Sequence, residues 1–471
     1  MAGIRHRLST IWGEFLNETS LHGCKNTFAK QHGPLKRTLW FLCFGVMVGI
    51  LVYTTVTFYL KYKEFNFVTK TSMRYHPEIE FPAVTICNLC RFYKLKNPDI
   101  DNFNKLDPLL MEYFNFLRSI GNASASFNPF DSKWQKLRLS STDVNQLGLS
   151  IQEVVAFGDV KNQPLTNLES NFSITYRGPY EKCFTFNWRY SNQTHDEKPL
   201  MFQSAHELVL SLDTIQDRCY TNMLSRGFRL LLHHPDEPFH AHSPSTELAS
   251  GHFHRMQVSK KEYQYLGSPY NSYQNQHCVQ DSKRPKGSNE DPFPYSHASC
   301  VIECLTNRTQ SLCGCVAEYL LHHNSSIFCT VTDRYSCSRD VWRSYFILKN
   351  TEVCDCKRPC SEIKYDYELS SMPAKKDKTF DNKIYLRISF KDMMVTTIKH
   401  EKEMDFGDIV SHLGGYMGFC LGASVLTLLE LVEVVLKSLK AVSVHGHSLE
   451  KSPESTAPTS VEHLETDSTG I

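Results

Sequence analysis

Two stretches of the chain are nearly free of charge. From Thr38 to Leu60 it reads TLWFLCFGVMVGILVYTTVTFYL, 23 residues without a charged side chain. About 20 apolar residues let a helix cross a bilayer, so the pattern predicts a transmembrane helix over 38–60 rather than the core helix of a soluble domain. The stretch is too long for a signal-peptide core, follows a polar leader of 37 residues and lacks a small-residue cleavage site. Lys36 and Arg37 abut its start, which by the positive-inside rule assigns residues 1–37 to the cytoplasm. The second stretch, IVSHLGGYMGFCLGASVLTLLELVEVVL, covers 409–436 and carries four glycines together with Glu430 and Glu433. Lys437 and Lys440 follow it, so this end too is assigned to the cytoplasm, with 437–471 as a tail.

Residues 61–408 then form one extracellular domain. Its pattern alternates between the periods of strand and helix. Ile384-Tyr385-Leu386-Arg387-Ile388-Ser389-Phe390 is apolar at every second residue and predicts a strand close before the second span. Phe81-Pro82-Ala83-Val84-Thr85-Ile86-Cys87 reads as another, entering from the first span. Two strands tied to the two spans would couple the outer domain to the membrane. EYLLHH and VWRSYFIL are helix-like, the stretch from Gly267 to Asn289 reads as exposed loop, and the last 30 residues, rich in Ser, Thr, Glu and Pro, as a disordered tail. The expected fold is an α+β membrane protein: two transmembrane helices flanking a large disulfide-rich extracellular domain.

Charge and composition narrow the function. With Lys+Arg 51 against Asp+Glu 50 in 471 residues, the net charge of +1 excludes a basic nucleic-acid face. A hydrophobic share of 41% excludes a disordered chain. The mean hydropathy of −0.35 excludes a many-span transporter. Fourteen of the 17 cysteines lie between Cys87 and Cys360, inside the predicted outer domain. The sequons at Asn122, Asn171, Asn192, Asn307 and Asn324 fall there too, and one more, Asn17, lies in the predicted cytoplasmic leader. Joint segregation of cysteines and sequons points to an oxidising, glycosylated compartment. Ten cysteines from Cys278 to Cys360 have spacings that leave their pairing open, and the absence of paired C-x2-C motifs disfavours zinc. A ladder of bridges across two antiparallel helices would make a stiff lever. No H-E-x-x-H, nucleophile elbow or phosphate loop is present, so neither an enzyme nor a cofactor is expected.

A carboxylate inside a membrane costs about 3 kcal/mol or more and defaults to a functional reading. Drawn on one helix, Gly415, Gly418, Gly422, Leu426, Glu430 and Glu433 form a stripe. Small residues on it permit close helix packing, and a break at Gly422-Ala423-Ser424 would turn backbone carbonyls toward a water-filled path. Acids below the break would gather cations at the inner mouth. The plainer reading is a glycine-packed span whose two acids reach the cytoplasmic surface. One such span per chain cannot enclose a pore, so a channel must be an oligomer.

These residues resemble the degenerin/epithelial sodium channel family, closest in pattern to acid-sensing ion channels. The matches are His22-Gly23, FPAVTICN at Phe81 to Asn88, CFTFN at Cys183 to Asn187, Asp236-Glu237-Pro238, CDCKRPC at Cys354 to Cys360, and GYMGFCLGASVLTLLELVE at Gly415 to Glu433. The resemblance implies a plasma-membrane homotrimer or heterotrimer of related subunits, with an outer domain built around a central β-sheet with peripheral helices. It implies a sodium-selective pore blocked by amiloride, with Gly422, Ala423 and Ser424 at the selectivity filter and Glu430 and Glu433 aiding selectivity. Ser411 falls at the gate position where bulky substituents hold family channels open, followed by His412, Gly415 and Gly418. His22 and Gly23 match the N-terminal pair that sets opening probability. The implied bridges are Cys87–Cys183, Cys278–Cys360, Cys300–Cys356, Cys304–Cys354, Cys313–Cys337 and Cys315–Cys329. Cys90 and Cys219 remain, and are expected to bridge each other.

The gating stimulus is the open question. Asp236 and Glu237 match acids of the family's acidic pocket, with Asp340 as the expected partner. The proton-gated members usually carry a His pair just outside the first span, where Asn66 and Phe67 stand here, and a Trp before the first cysteine of the dense block, where the nearest aromatic is Tyr273. His412 replaces a usual Asp, and its protonation would repel cations and make acid inhibitory. His233, His234, His240, His242, His252 and His254 crowd one stretch, and histidine titrates near the pH of mild acidification. His233 and His234 therefore join the proton-sensing candidates. Acid gating leads over a peptide ligand, constitutive activity, or a two-span receptor that is no channel. Thr469-Gly470-Ile471 fits the C-terminal pattern captured by PDZ scaffolds.

Overall fold

The computed structural model describes residues 2–19, 33–90, 131–137, 148–177, 181–189, 198–219, 226–239, 243–271, 276–279, 295–316, 329–348, 354–375 and 380–449, with single positions 21, 27, 93, 112, 128 and 273. His22, Gly23, Asn122, Asn192, Asn324, His240, His242, the EYLLHH segment and 469–471 lie outside them. The chain forms two compact units, residues 67–401 and residues 1–66 with 402–471.

The 67–401 unit is built on two sheets. The larger one runs Phe67–Tyr75, Met394–Lys402, His252–Gln264, Lys383–Phe390, Glu207–Asp213, Val155–Val160, Gln163–Pro164, with Ser361–Pro373 paired antiparallel to His252–Gln264. Alternation explains its core. In Lys383–Phe390 the side chains of Ile384, Leu386 and Ile388 are fully buried, and they lie in register with Leu212, Leu210 and Leu208 of Glu207–Asp213. The smaller sheet is antiparallel, in the order Thr246–Ala249, Gly227–His233, Ala83–Asn88, Glu181–Phe186, Phe172–Arg177. Ala83–Asn88 is buried at all six positions, because both of its edges are paired and both faces are covered. Phe81 and Phe202 stack at 3.9 Å just ahead of it.

Seven disulfides staple this unit. Cys87–Cys183 joins directly opposed residues of neighbouring strands, and Cys90 is bonded to Cys219. Cys278–Cys360 closes the base of the cysteine block. Cys300 and Cys304, one helical turn apart on His297–Cys313, share a face and bond to Cys356 and Cys354. Cys313 bonds to Cys337, and Cys315 to Cys329. The ladder differs from the expected pair of antiparallel helices: its first two rungs tie one helix to the segment 354–358, which is in neither helix nor strand. Val301, Leu305, Val316 and Val341 pack around these rungs.

The other unit holds the apolar helices. Pro34–Lys63 begins with Pro at its first turn and buries no residue. It packs against Phe406–Leu421, while the N-terminal helix Ala2–Glu18, which the sequence pattern did not announce, packs against Val425–Leu449. Pro34–Lys63 is long and apolar enough to span a membrane alone; Phe406–Leu421 and Val425–Lys440 qualify only together, bent by 78° at the break between them. An Asp405–Asp408 capping box starts Phe406–Leu421, and Lys61 pairs with Glu403 at 2.8 Å.

Candidate functional site

The break in the second apolar segment is built from the residues of the G-A-S triplet. Gly422 ends Phe406–Leu421 in a left-handed conformation (φ 62°), which glycine adopts without steric cost, and its N–H donates to the Gly418 carbonyl at 2.9 Å. The Ala423 N–H donates to the Met417 carbonyl at 3.2 Å. Ser424 then opens the next helix: its carbonyl accepts from Leu428 N–H, and its own N–H donates to Thr427 Oγ1, both at 3.2 Å. The last carbonyls of a helix have no partner within it, so those after Gly418 are free to face other groups.

The single-helix stripe is thereby divided. Gly415 and Gly418 lie on the first half, Glu430 and Glu433 on the second, because the αL turn at Gly422 swings the axis by 78°. Gly415, Gly418, Glu430 and Glu433 are exposed in the chain, and Ala423 is buried. Glu433 pairs with Lys437 at 2.7 Å. Ser411 is exposed, and His412 stacks on Phe58 at 4.6 Å, with Tyr416 against the same ring at 6.0 Å.

A second constellation surrounds Asp236 and Glu237 in the 67–401 unit. Asn187, the last residue of CFTFN, takes a left-handed conformation (φ 56°) and donates through Nδ2 to the Phe81 carbonyl at 2.7 Å. That turn aims the next two side chains at the 234–237 turn. Trp188 Nε1 donates to the Glu237 carbonyl at 3.2 Å. Arg189 grips Asp236 with two bonds of 2.8 Å and donates to Glu80 Oε1 at 2.7 Å. His234 lies between the same two acids, 3.7 Å from Glu80 and 3.8 Å from Asp236. Burial would raise the Glu80 carboxyl, but hydrogen bonds and charge from His234 and Arg189 outweigh it and hold the group at about 2. For Glu237 the balance is reversed: burial, reinforced by the charges of Glu362 and Asp236, outweighs the opposing charges of His234 and Lys364 and pushes it up to about 7.

The two adjacent histidines differ. His233 is half-buried; its Nδ1 donates to the His234 carbonyl at 3.0 Å, and its Nε2 lies 2.9 Å from Thr85 Oγ1, from which a neutral ring accepts. Burial pushes it down to about 4, so it stays neutral through mild acidification. His254 is similarly engaged, by Ser371 and Ala249. Asp340 does not join Asp236 and Glu237. It is exposed on Arg339–Phe346, and its ion pair is to Arg339 at 4.0 Å, because the cysteine ladder fixes that helix within its own cluster. Glu80 and Arg189 belong to the constellation unannounced. Their only signals were adjacency to FPAVTICN and CFTFN. Of the described sequons, Asn307 is exposed on His297–Cys313 and Asn171 ends Leu168–Asn171 half-buried.

The family model for the amiloride-sensitive sodium channel matches residues 15–434. Among curated proteins, the chain is 27% identical to acid-sensing ion channel 1C of Danio rerio, over 90% of this chain and 83% of that one. It is 24% identical to acid-sensing ion channel 1 of Gallus gallus, covering 90% and 84%. It is 25% identical to acid-sensing ion channel 2 of Mus musculus, covering 90% and 86%.

Proposed function

The chain belongs to the amiloride-sensitive sodium channel family, and from that premise we propose that it is one subunit of a trimeric, sodium-selective, amiloride-blocked channel of the plasma membrane, opened by extracellular acid. Both termini are cytoplasmic in this reading, residues 38–60 and 409–436 are the spans, and 61–408 face outward. Gly422, Ala423 and Ser424 form the filter, Glu430 and Glu433 attract cations below it, and Ser411, His412, Gly415 and Gly418 line the gate, regulated from the N-terminus by His22 and Gly23.

The observation that carries the pore is the αL break at Gly422 inside an otherwise apolar helix, the arrangement that frees carbonyls where a cation must shed water. The acid reading is supported by Glu237. A carboxyl at about 7 changes charge over the range that mild acidification covers, whereas neighbouring Glu80 at about 2 does not. Protonating Glu237 removes one of several like charges from a half-buried turn that Trp188 and Arg189 clamp, and so favours a closer packing of that turn.

Whole-cell recording while external pH is stepped from alkaline to acid tests the reading. An inward sodium current that rises on acidification and is blocked by amiloride is the expected result. A current that appears only with an applied peptide, or that flows at all pH values, replaces acid with another stimulus. No sodium current under any of these conditions removes the channel reading.

A further inference from the structure

His400 stands near the end of Met394–Lys402, two positions before the chain leaves the 67–401 unit. It is 8% exposed. Its ring stacks on Phe67, the first residue of the same unit, at 4.2 Å and 15°, and meets Tyr265 edge-on at 5.1 Å. Among the described residues its Nδ1 is buried without a hydrogen-bond partner. Such an atom in a folded protein calls for an explanation.

The titratable and charged groups around it come from every neighbouring element, and they pair with one another. On its own strand, Lys399 and Glu401 alternate to the other face and pair at 3.4 Å. On Phe67–Tyr75, Lys70 reaches Glu401 at 3.7 Å. On the His252–Gln264 side, Tyr263 stacks on Tyr265, and Tyr265 meets Tyr273 at 5.9 Å. Beyond them Arg358 lies over Tyr273 and Lys364 over Tyr263, and both cations pair with Glu362. Burial alone lowers the His400 pKa.

A neutral imidazole suits such a sandwich, but an imidazolium has two N–H donors that both need acceptors. A cation on aromatic faces regains less than an uncompensated buried charge loses. Charge therefore favours the ring outside the stack. We propose that His400 is a proton-operated latch: neutral, it holds Phe67 against Tyr265 and closes the join between Phe67–Tyr75 and Met394–Lys402; protonated, it leaves the stack and the join loosens. These two hydrogen-bonded strands are continuous in the chain with Pro34–Lys63 and Phe406–Leu421, so the latch sits where the outer domain hands over to both apolar helices. The latch deepens the acid reading but concerns the domain itself, and it stands whether the loosened state conducts or not.

Hydrogen–deuterium exchange on the full chain in lipid nanodiscs, from about pH 8 to pH 5, tests it. Exchange at the imidazole C2 position should report a His400 pKa below the ordinary ~6.5. Amide exchange over 67–75 and 394–402, taken relative to the intrinsic rate at each pH, should rise several-fold on acidification in the wild type and stay flat in His400→Phe, which keeps the stack without the proton. His400→Gln, smaller and non-titrating, should exchange fast at every pH, and serves if the Phe variant does not fold. An acid-dependent rise that persists in His400→Phe, or no rise in the wild type, overturns the latch. Recording the same proteins separates the two proposals. A latch without acid-dependent current sinks acid gating alone, and acid-gated current with flat exchange sinks the latch alone.

Discussion

The helix Pro34–Lys63 and the strand Ala83–Asn88 are both rich in apolar side chains, yet the first buries none of its residues and the second buries all six. The difference lies in the solvent each is made for. In the outer domain, apolar area leaves water, and Phe81, Ile86, Phe202 and Phe228 disappear between the sheets of a unit stapled by disulfides. In the helical unit Leu39, Phe41, Val46 and Tyr53 point outward, the arrangement a helix needs when hydrocarbon is its surroundings and its own backbone satisfies every N–H and C=O. The two regions also place irregular backbone differently. In the domain, left-handed residues such as Asn187 sit in hydrogen-bonded turns, whereas in the helical unit Gly422 interrupts the ladder in mid-segment.

Four substitutions would sharpen that contrast or break it. Gly422→Val should have the largest effect on current. A β-branched residue at φ 62° is strained by about 1–3 kcal/mol, enough to shift the break, and sodium current should fall by about tenfold or more at unchanged surface density. A normal current would mean that the break has no part in permeation. Arg189→Met should destabilise the domain by about 3–5 kcal/mol in thermal unfolding, since it leaves Glu80 and Asp236 half-buried without their cation. Val46→Lys, on a side chain 61% exposed in the chain, would be nearly neutral in a water-facing helix but should cost about 3 kcal/mol of insertion in a bilayer, read as lost surface protein. Unchanged delivery would put that helix in water and end the contrast.

Glu237→Gln should have the smallest and most pH-specific effect. The folded pKa of Glu237, about 7, lies above its ordinary value of 4.5, so its stabilising share is complete below 4.5 and lost as pH rises through 7. The neutral amide should therefore stabilise the domain by about 1–2 kcal/mol at pH 8, after allowance for partial exposure, and make no difference near pH 4. Glu80 behaves oppositely. Its pKa is depressed, and its contribution is present above 4.5 and is lost as pH falls toward 2. If the pH dependence of unfolding between 5 and 8 were the same in Glu237→Gln as in the wild type, the titrating group would lie elsewhere.

Local periodicity carried what was legible in the chain. A charge-free run is visible residue by residue, and so is the alternation of Ile384, Leu386 and Ile388, because both depend on neighbours a few positions away. The G-A-S triplet likewise contains its own reason to break a helix. What depended on residues far apart stayed hidden. Glu80, Arg189 and Asp236 are brought together from three different segments, so the acids that Arg189 holds could not be told from Glu237 beforehand. The same holds for the histidines. His233, with both ring nitrogens engaged, and His400, with one sealed and idle, are equivalent letters in the sequence. The sequence determined which segments are apolar, which alternate and where cysteines gather, since side-chain chemistry and spacing suffice for that. The tertiary structure alone decided which charges meet and which protons are held, because desolvation and Coulomb energy depend on distances in space that only packing sets.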